Sequence, residues 1–150
     1  MPRLSWDQYG ASLARTVALR SDCKRSQVGA VLLDAGNRVV ATGYNGAPAG
    51  QAGCESCPRG QHWLHTFSSM EGPVCGNRKC PGFIDVRKCP GVQPGSSYEN
   101  CVAIHAEANC LLYAGRDRAL GGTLYITREP CHECARLITA AGVARVVVGE

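Results

Sequence analysis

His105, Cys131 and Cys134 set the tightest constraint on what this chain can fold into. They sit in two separate segments, His105-Ala106-Glu107 and Pro130-Cys131-His132-Glu133-Cys134. One imidazole and two thiolates make three zinc ligands and leave the fourth tetrahedral position open, which is the pattern of a catalytic zinc site. A fold that uses all three must carry both segments to one point. A zinc with two thiolates and a neutral imidazole has roughly no net charge, so it acidifies water less than an all-histidine site. A nearby base is then needed, and Glu107, two residues from the imidazole, is the candidate proton shuttle. Taken singly these signals are weak, because a lone C-x-x-C is more often a structural zinc knuckle or a redox pair. Their conjunction in this order, with a strand and a proline ahead of the first cysteine, is what points to catalysis. His132 and Glu133, between the two cysteines, are expected on the helix surface or around the ligands.

Local patterning puts both segments at helix starts. Ser5-Trp6-Asp7-Gln8 forms a capping box, and Trp6, Tyr9, Leu13 and Val17 recur at helical spacing, predicting a helix from about Trp6 to about Arg20. Val28 to Leu33 and Val39 to Thr42 are short apolar runs. Asp34-Ala35-Gly36-Asn37 joins them with turn residues, so the pair predicts a hairpin. Gly43-Tyr44-Asn45-Gly46 is expected to bend sharply out of the second strand, because Gly and Asn tolerate positive φ. Further on, His105 to Ala114 predicts a helix with Ile104, Ala108, Leu111 and Leu112 at its apolar positions and Gly115 at its end. Thr123 to Thr127 has the composition of a strand. Pro130 suits the first turn of the next helix, which runs to about Ala141 and stops at Gly142. Ala144 to Val148 is a buried-looking strand. Strand, helix, strand from Thr123 onward implies a right-handed crossover between parallel neighbours. Cys131 and Cys134, three apart at a helix start, share a face. If both helices aim their N-termini at one spot, the positive ends stabilise the thiolates.

A chain of 150 residues fits one domain with a real core, here with a Gly-, Pro- and Cys-rich insert at about 47–100. Sixteen basic and 12 acidic side chains leave a net charge of +4. That suits an anionic small molecule and falls short of the dense basic stripe usual for nucleic-acid binding, although a solvated surface with a slight excess of arginine is the better explanation of the charge taken alone. No apolar run near the N-terminus has the form of a signal peptide, and no stretch is long and apolar enough to span a bilayer. The expected setting is the cytoplasm, where the 10 cysteines serve as thiols and metal ligands in preference to disulfides.

The segments Ser5-Trp6-Asp7, Cys23 to Ala30, Gly43-Tyr44-Asn45-Gly46-Ala47-Pro48, His105-Ala106-Glu107-Ala108-Asn109 and Pro130 to Ile138 together resemble the zinc-dependent cytidine deaminase superfamily, whose signature is H-x-E followed by P-C-x-x-C. Within it the chain is most similar to the deoxycytidylate (dCMP) deaminases, the Gly-Tyr-Asn-Gly and His-Ala-Glu-Ala-Asn segments being the discriminating ones. Transfer-RNA adenosine deaminases usually carry Met between the paired cysteines, and free-cytidine deaminases typically have Cys at the position of His105. The resemblance implies an α/β/α sandwich around a mixed sheet and the conversion of dCMP to dUMP and ammonia. It implies that Asn45 meets the sugar or base, that Arg25 is a candidate for the 5′-phosphate, and that Thr127 and Arg128 line the same pocket. A turn role for Asn45 and solvated surface positions for the two arginines are the plainer alternatives. Members of the branch are often hexamers regulated by dCTP and dTTP, so a homo-oligomer with those effectors is a family expectation. The family usually continues past the 144–148 strand with another helix and strand.

Cys54-Glu55-Ser56-Cys57 is a second C-x-x-C, followed by Cys75, Cys80 and Cys89, with Cys101 just before the catalytic helix. His62 and His65 share the region. An insert with few core residues commonly needs a metal clip. The expectation is a structural zinc on Cys54 and Cys57 with two of Cys75, Cys80, Cys89 and Cys101, and by the resemblance Cys23 is a further possible ligand. Free, partly buried thiols are the plain alternative. Cys110 is expected to be a small buried apolar residue. Two other functions stay open at this point. A polynucleotide base deaminase would need a basic, aromatic-bearing groove. A non-enzymatic zinc module would leave Glu107 unexplained.

Overall fold

The computed structural model describes residues 2–23, 26–51, 101 and 103–149, with the backbone alone of 64–65 and 74–75. The chain groups into two compact units, Met1–Glu55 with Ala103–Glu150, and Ser56–Val102. In the second unit a short strand β3 (Leu64–His65) pairs antiparallel with β4 (Val74–Cys75).

The first unit holds α1 (Trp6–Ala18), β1 (Gly29–Leu33), β2 (Val39–Tyr44), α2 (Ala106–Ala114), α3 (Arg116–Ala119), β5 (Thr123–Ile126), α4 (His132–Ala140) and β6 (Arg145–Val148). Its sheet runs β2-β1-β5-β6 and is mixed. β1 is antiparallel to both β2 and β5, whereas β5 and β6 are parallel, as a strand–helix–strand crossover requires. Side chains alternate between the sheet's two faces with period two. Val31, Leu33 and Tyr125 pack with Ala14, Leu13 and Val17 of α1. Ala30, Leu32, Leu124 and Ile126 pack on the other side with Ala106, Cys110 and Ala114 of α2, Ala119 of α3 and Ile138 of α4. The expected three-layer α/β/α sandwich is therefore present.

The local signals explain most of the element ends. The capping box forms in full, Gln8 N–H donating to Ser5 Oγ at 3.1 Å and Ser5 N–H to Gln8 Oε1 at 2.9 Å. The hairpin turn is closed by the Asp34 carboxylate, which accepts from the N–H of Gly36 and of Arg38, and Asn37 takes the left-handed conformation at φ 60°. Gly115 and Gly142 have φ of 73° and 76°, which a side chain would resist.

Four expectations are corrected. The 43–46 segment has no positive φ; β2 continues through Tyr44, and Gly43 serves a different purpose. A Cβ there would lie 2.2 Å from the Ala106 carbonyl oxygen and 2.4 Å from the Cys110 nitrogen, so the glycine lets α2 press its backbone onto the strand. This close approach also corrects one apolar position assigned to α2, Leu112, whereas Leu111 packs against the core as expected. Its buried residues are Ala106, Glu107, Cys110 and Ala114, whereas Leu112 is 72% exposed; the two residues directly over Gly43, Ala106 and Cys110, are small. Pro130 lies outside α4, because Cys131 is the N-cap. The last strand is largely exposed, since β6 has one partner among the described residues and lies at the sheet edge.

The registers Gly29–Tyr44, Ala30–Ile126 and Ile126–Val148 gather the start of β1 and the ends of β2, β5 and β6 at one end of the sheet. A two-way backbone bridge between Gly46 and Ile104, at 3.2 and 2.8 Å, brings the start of α2 to that end. α4 begins there too, since it follows directly on β5.

Candidate active site

His105 is the N-cap of α2, with extended backbone and no capping hydrogen bond from its side chain. The ring turns instead toward α4. Its Nδ1 lies 3.5 Å from Cys131 Sγ and 3.3 Å from Cys134 Sγ. Zinc bonds of about 2.0 Å to nitrogen and about 2.3 Å to sulfur, at a tetrahedral angle, put N and S about 3.5 Å apart. The three donor atoms all lie within 4.8 Å of one another. The spacing is that of ligands around one ion, although direct N···S contacts of this length also suit a weak thiol hydrogen bond.

The charge balance favours the ion. Cys134 is 3% exposed, and burial pushes its thiol well above the ordinary thiol range, with the Glu107 carboxylate and then Cys131 acting in the same direction. Two thiolates and a carboxylate crowded together in partial burial repel one another, and a divalent cation relieves that repulsion. Cys131 also sits where the first turn of α4 offers partial positive charge; the Cys134 N–H donates to its sulfur at 3.5 Å. Zinc fits this donor set, which is soft on two sides and neutral on the third. Cys134 is buried, His105 half-buried and Cys131 exposed, so the cluster opens to solvent on the Cys131 side.

Glu107 is one turn-fraction further along α2 and 4% exposed. A carboxylate is seldom buried without a partner, and its proximity to Cys134 is evident from the thiol it perturbs. Cys110, one turn beyond on the same helix, is fully buried and pushed up to about 12 by burial. It donates weakly to the Ala41 carbonyl at 3.4 Å, which accords with a packing role.

Asn45, Thr127 and Arg128 gather at the same end of the sheet. Asn45 is 8% exposed. Its Oδ1 accepts from the Val28 N–H at 2.8 Å, and its Nδ2 donates to the Ser26 carbonyl at 2.8 Å. Both ends of the amide thus hold the segment that enters β1. Thr127 grips that segment from the other side, its Oγ1 accepting from the Gly29 N–H at 3.1 Å and its own N–H donating to the Gly29 carbonyl. Arg128 is exposed and donates to Ser26 Oγ at 3.1 Å. Arg25 lies outside the described residues, as do Cys54, Cys57, Cys80, Cys89 and the side chain of Cys75. Cys23 is half-buried and Cys101 exposed, in different units.

Sequence reasoning gave no role to Ser26, Ser21 or Asn109. Ser21 is 4% exposed; its hydroxyl donates to the Asn45 carbonyl at 2.7 Å and accepts from the Cys23 N–H at 3.2 Å. Asn109, in the His-Ala-Glu-Ala-Asn segment, donates to the Tyr44 carbonyl at 2.9 Å, tying α2 to the end of β2. No periodicity marks such residues, because their partners are backbone atoms far along the chain.

Three comparisons bear on this geometry. A deoxycytidylate deaminase of Mycobacterium phage D29 is 47% identical over 147 residues, covering 98% of this chain and 96% of that protein. One from Schizosaccharomyces pombe is 37% identical over 97% of this chain, which spans 37% of its length. The crystal structure of dCMP deaminase from cyanophage S-TIM5, in complex with dCMP and dUMP, shares the fold at a TM-score of 0.59 and 23% identity, covering 97% of this chain and 82% of that one. The model of the cytidine and deoxycytidylate deaminase zinc-binding region matches residues 4–150, nearly the whole length, and it is to this family that the chain belongs.

Proposed function

We propose that this protein hydrolyses dCMP to dUMP and ammonia, with His105, Cys131 and Cys134 holding zinc and Glu107 moving the protons. The observation that carries the reading is the approach of His105 Nδ1 to both sulfurs, 3.5 and 3.3 Å, beside a buried carboxylate. The substrate class is supported by the relatives' activities, chiefly that of the 47% identical phage protein.

Bound zinc would supply a Lewis acid that makes water acidic enough to attack at neutral pH. The Glu107 carboxylate would accept a proton from the attacking water and hand it to the ring nitrogen next to the amino-bearing carbon. The same carboxylate would then take the second proton from the oxygen that has added to that carbon and deliver it to the amino group, which leaves as ammonia while the carbonyl forms. Its burial keeps bulk water from competing for that proton. Thr127 and Asn45 shape the pocket wall through the backbone they hold, and Arg25 and Arg128 are proposed for the 5′-phosphate. A cytoplasmic homo-oligomer that responds to dCTP and dTTP belongs to this reading on family resemblance alone.

The test is an assay of purified zinc-loaded protein on cytidine, deoxycytidine, CMP, dCMP and an oligonucleotide. Release of ammonia from dCMP above all others is expected, and inactivity on every mononucleotide would remove the proposal. Glu107→Ala should lose turnover while keeping its zinc. The second, structural zinc is proposed from the count and spacing of cysteines. Metal analysis should then give more than one zinc per chain, and a value of one would dismiss it.

A further inference from the structure

Arg128 and Asn45 approach the Ser26–Gly29 segment from opposite sides, and Ser26 is the residue that touches both. Its carbonyl accepts from Asn45 Nδ2 at 2.8 Å, and its hydroxyl accepts from Arg128 at 3.1 Å. The backbone beneath is fixed at the next turn of chain by the paired bonds between Gly29 and Thr127. Arg128 itself is exposed and stands three residues before the ligand Cys131. Among the described residues no carboxylate pairs with it. A guanidinium carries five N–H donors, so one bond to a neutral hydroxyl leaves most of them for an anion.

We propose that Ser26 is a positioning residue for nucleotide recognition, holding Arg128 in place for the 5′-phosphate while Asn45 holds Ser26. The inference rests on the dCMP reading above and on Arg128 meeting the phosphate. A free surface arginine loses rotamer entropy when it binds an anion, and that loss weakens binding. A hydroxyl that already restrains one guanidinium nitrogen removes part of the loss before substrate arrives. The carbonyl–Asn45 bond keeps the serine from drifting with the arginine. The nucleoside, lacking a phosphate, gains nothing from this arrangement, so Ser26 contributes to the choice of nucleotide over nucleoside.

Ser26→Ala removes one oxygen and leaves the Asn45 bond intact. It should raise KM for dCMP, and the inhibition constant of dUMP, about three- to tenfold, the range expected for immobilising one long side chain. The kcat, the inhibition constant of deoxyuridine, the zinc content and Tm should all stay near those of the parent. Ser26→Thr keeps the hydroxyl and should restore KM. Arg128→Gln provides the control. If Arg128→Gln weakens dUMP but Ser26→Ala does not, the positioning role is overturned and the phosphate role of Arg128 stands. If Arg128→Gln leaves dUMP unaffected, the phosphate reading falls and the inference falls with it. If Ser26→Ala weakens dUMP and deoxyuridine equally, or lowers kcat or Tm, Ser26 is only a structural tether and the proposal is wrong.

Discussion

The two faces of the sheet are packed by different means. On the α1 face the contacts are made by Val31, Leu33 and Tyr125 against Leu13, Ala14 and Val17, with a polar tie at the edge. Arg145 donates to both carboxylate oxygens of Asp7 at 2.7 Å, and the buried Tyr125 donates its phenolic proton to the same group at 3.0 Å. On the other face α2 presents small residues, Ala106, Cys110 and Ala114, to a side of the sheet that carries Leu32, Leu124 and Ile126 as well as Ala30 and Ala41, with Gly43 beneath the helix backbone. Large side chains would hold a helix well off a sheet, whereas alanine and glycine bring it close. α2 carries Glu107 and follows on His105, whose Nδ1 lies 3.5 and 3.3 Å from the sulfurs of Cys131 and Cys134, so its seat on the sheet sets that approach. α1 is seated as closely at one point, where Gly29 lies beneath Ala14 and Ala18, but it carries no candidate ligand, and Leu13, Val17 and Tyr125 fill the rest of that face.

The comparison is open to attack, and the largest effect lies on the α2 face. Glu107→Gln keeps shape and zinc but cannot carry a proton. It should lower kcat by about 10²- to 10⁴-fold, the usual contribution of a general acid–base group, with zinc per chain unchanged. Loss of zinc in this variant would instead make Glu107 a structural member of the site.

A matched pair of glycine substitutions tests the two faces directly. A Cβ at Gly43 meets the Ala106 oxygen at 2.2 Å, and one at Gly29 meets the Ala14 oxygen at 2.1 Å. Both are backbone clashes, so Gly43→Ala and Gly29→Ala should each cost about 1–3 kcal/mol by denaturant unfolding. Only Gly43→Ala pushes on the helix that carries His105 and Glu107. It should lower zinc affinity and kcat well beyond Gly29→Ala at equal stability. Equal losses of activity would mean that the small-residue face has no special link to the site.

The smallest effect belongs to the α1 tie. Arg145 first, and then the Tyr125 hydroxyl, hold the Asp7 carboxyl below its ordinary range. A depressed folded-state pKa stabilises the protein above the unfolded value, about 3.9 for Asp, and that stabilisation is lost as pH falls through the lower folded value. Asp7→Asn should therefore flatten the acid limb of a Tm-against-pH profile and leave kcat near neutral pH unchanged. An acid limb identical to the parent's would show that the tie contributes nothing in solution.

Much of this was legible in one dimension because it is local. The Ser5–Gln8 capping box, the Asp34–Asn37 turn and the stops at Gly115 and Gly142 depend on neighbours a few residues away. The metal ligands were legible for a different reason: few chemistries use one histidine and a spaced pair of cysteines, so the residue types alone narrow the choice. The misread positions share a non-local cause. Gly43 looked like a bend, yet its function depends on a helix more than sixty positions downstream, as Asn109 bonding to Tyr44 at a separation of 65 also shows. Leu112 looked buried because apolar residues usually are; with Ala106, Cys110 and Ala114 facing the sheet, the helix turns Leu112 and Tyr113 outward. The parallel pairing of β6 with β5 is as expected, but its exposure was misread, because an apolar run does not say whether a strand is central or at an edge.

The sequence alone therefore determined the candidate donor set, the candidate proton carrier and the order of the elements, since each follows from side-chain chemistry or from short-range hydrogen bonding. Tertiary structure alone decided which backbone atoms Asn45, Thr127 and Asn109 would hold, that Arg128 would reach the Ser26 hydroxyl, and which helix face would be small enough to reach the sheet. The physical reason is that backbone hydrogen-bonding groups are the same at every residue, so nothing in the pattern of side chains says which of them will be brought within reach.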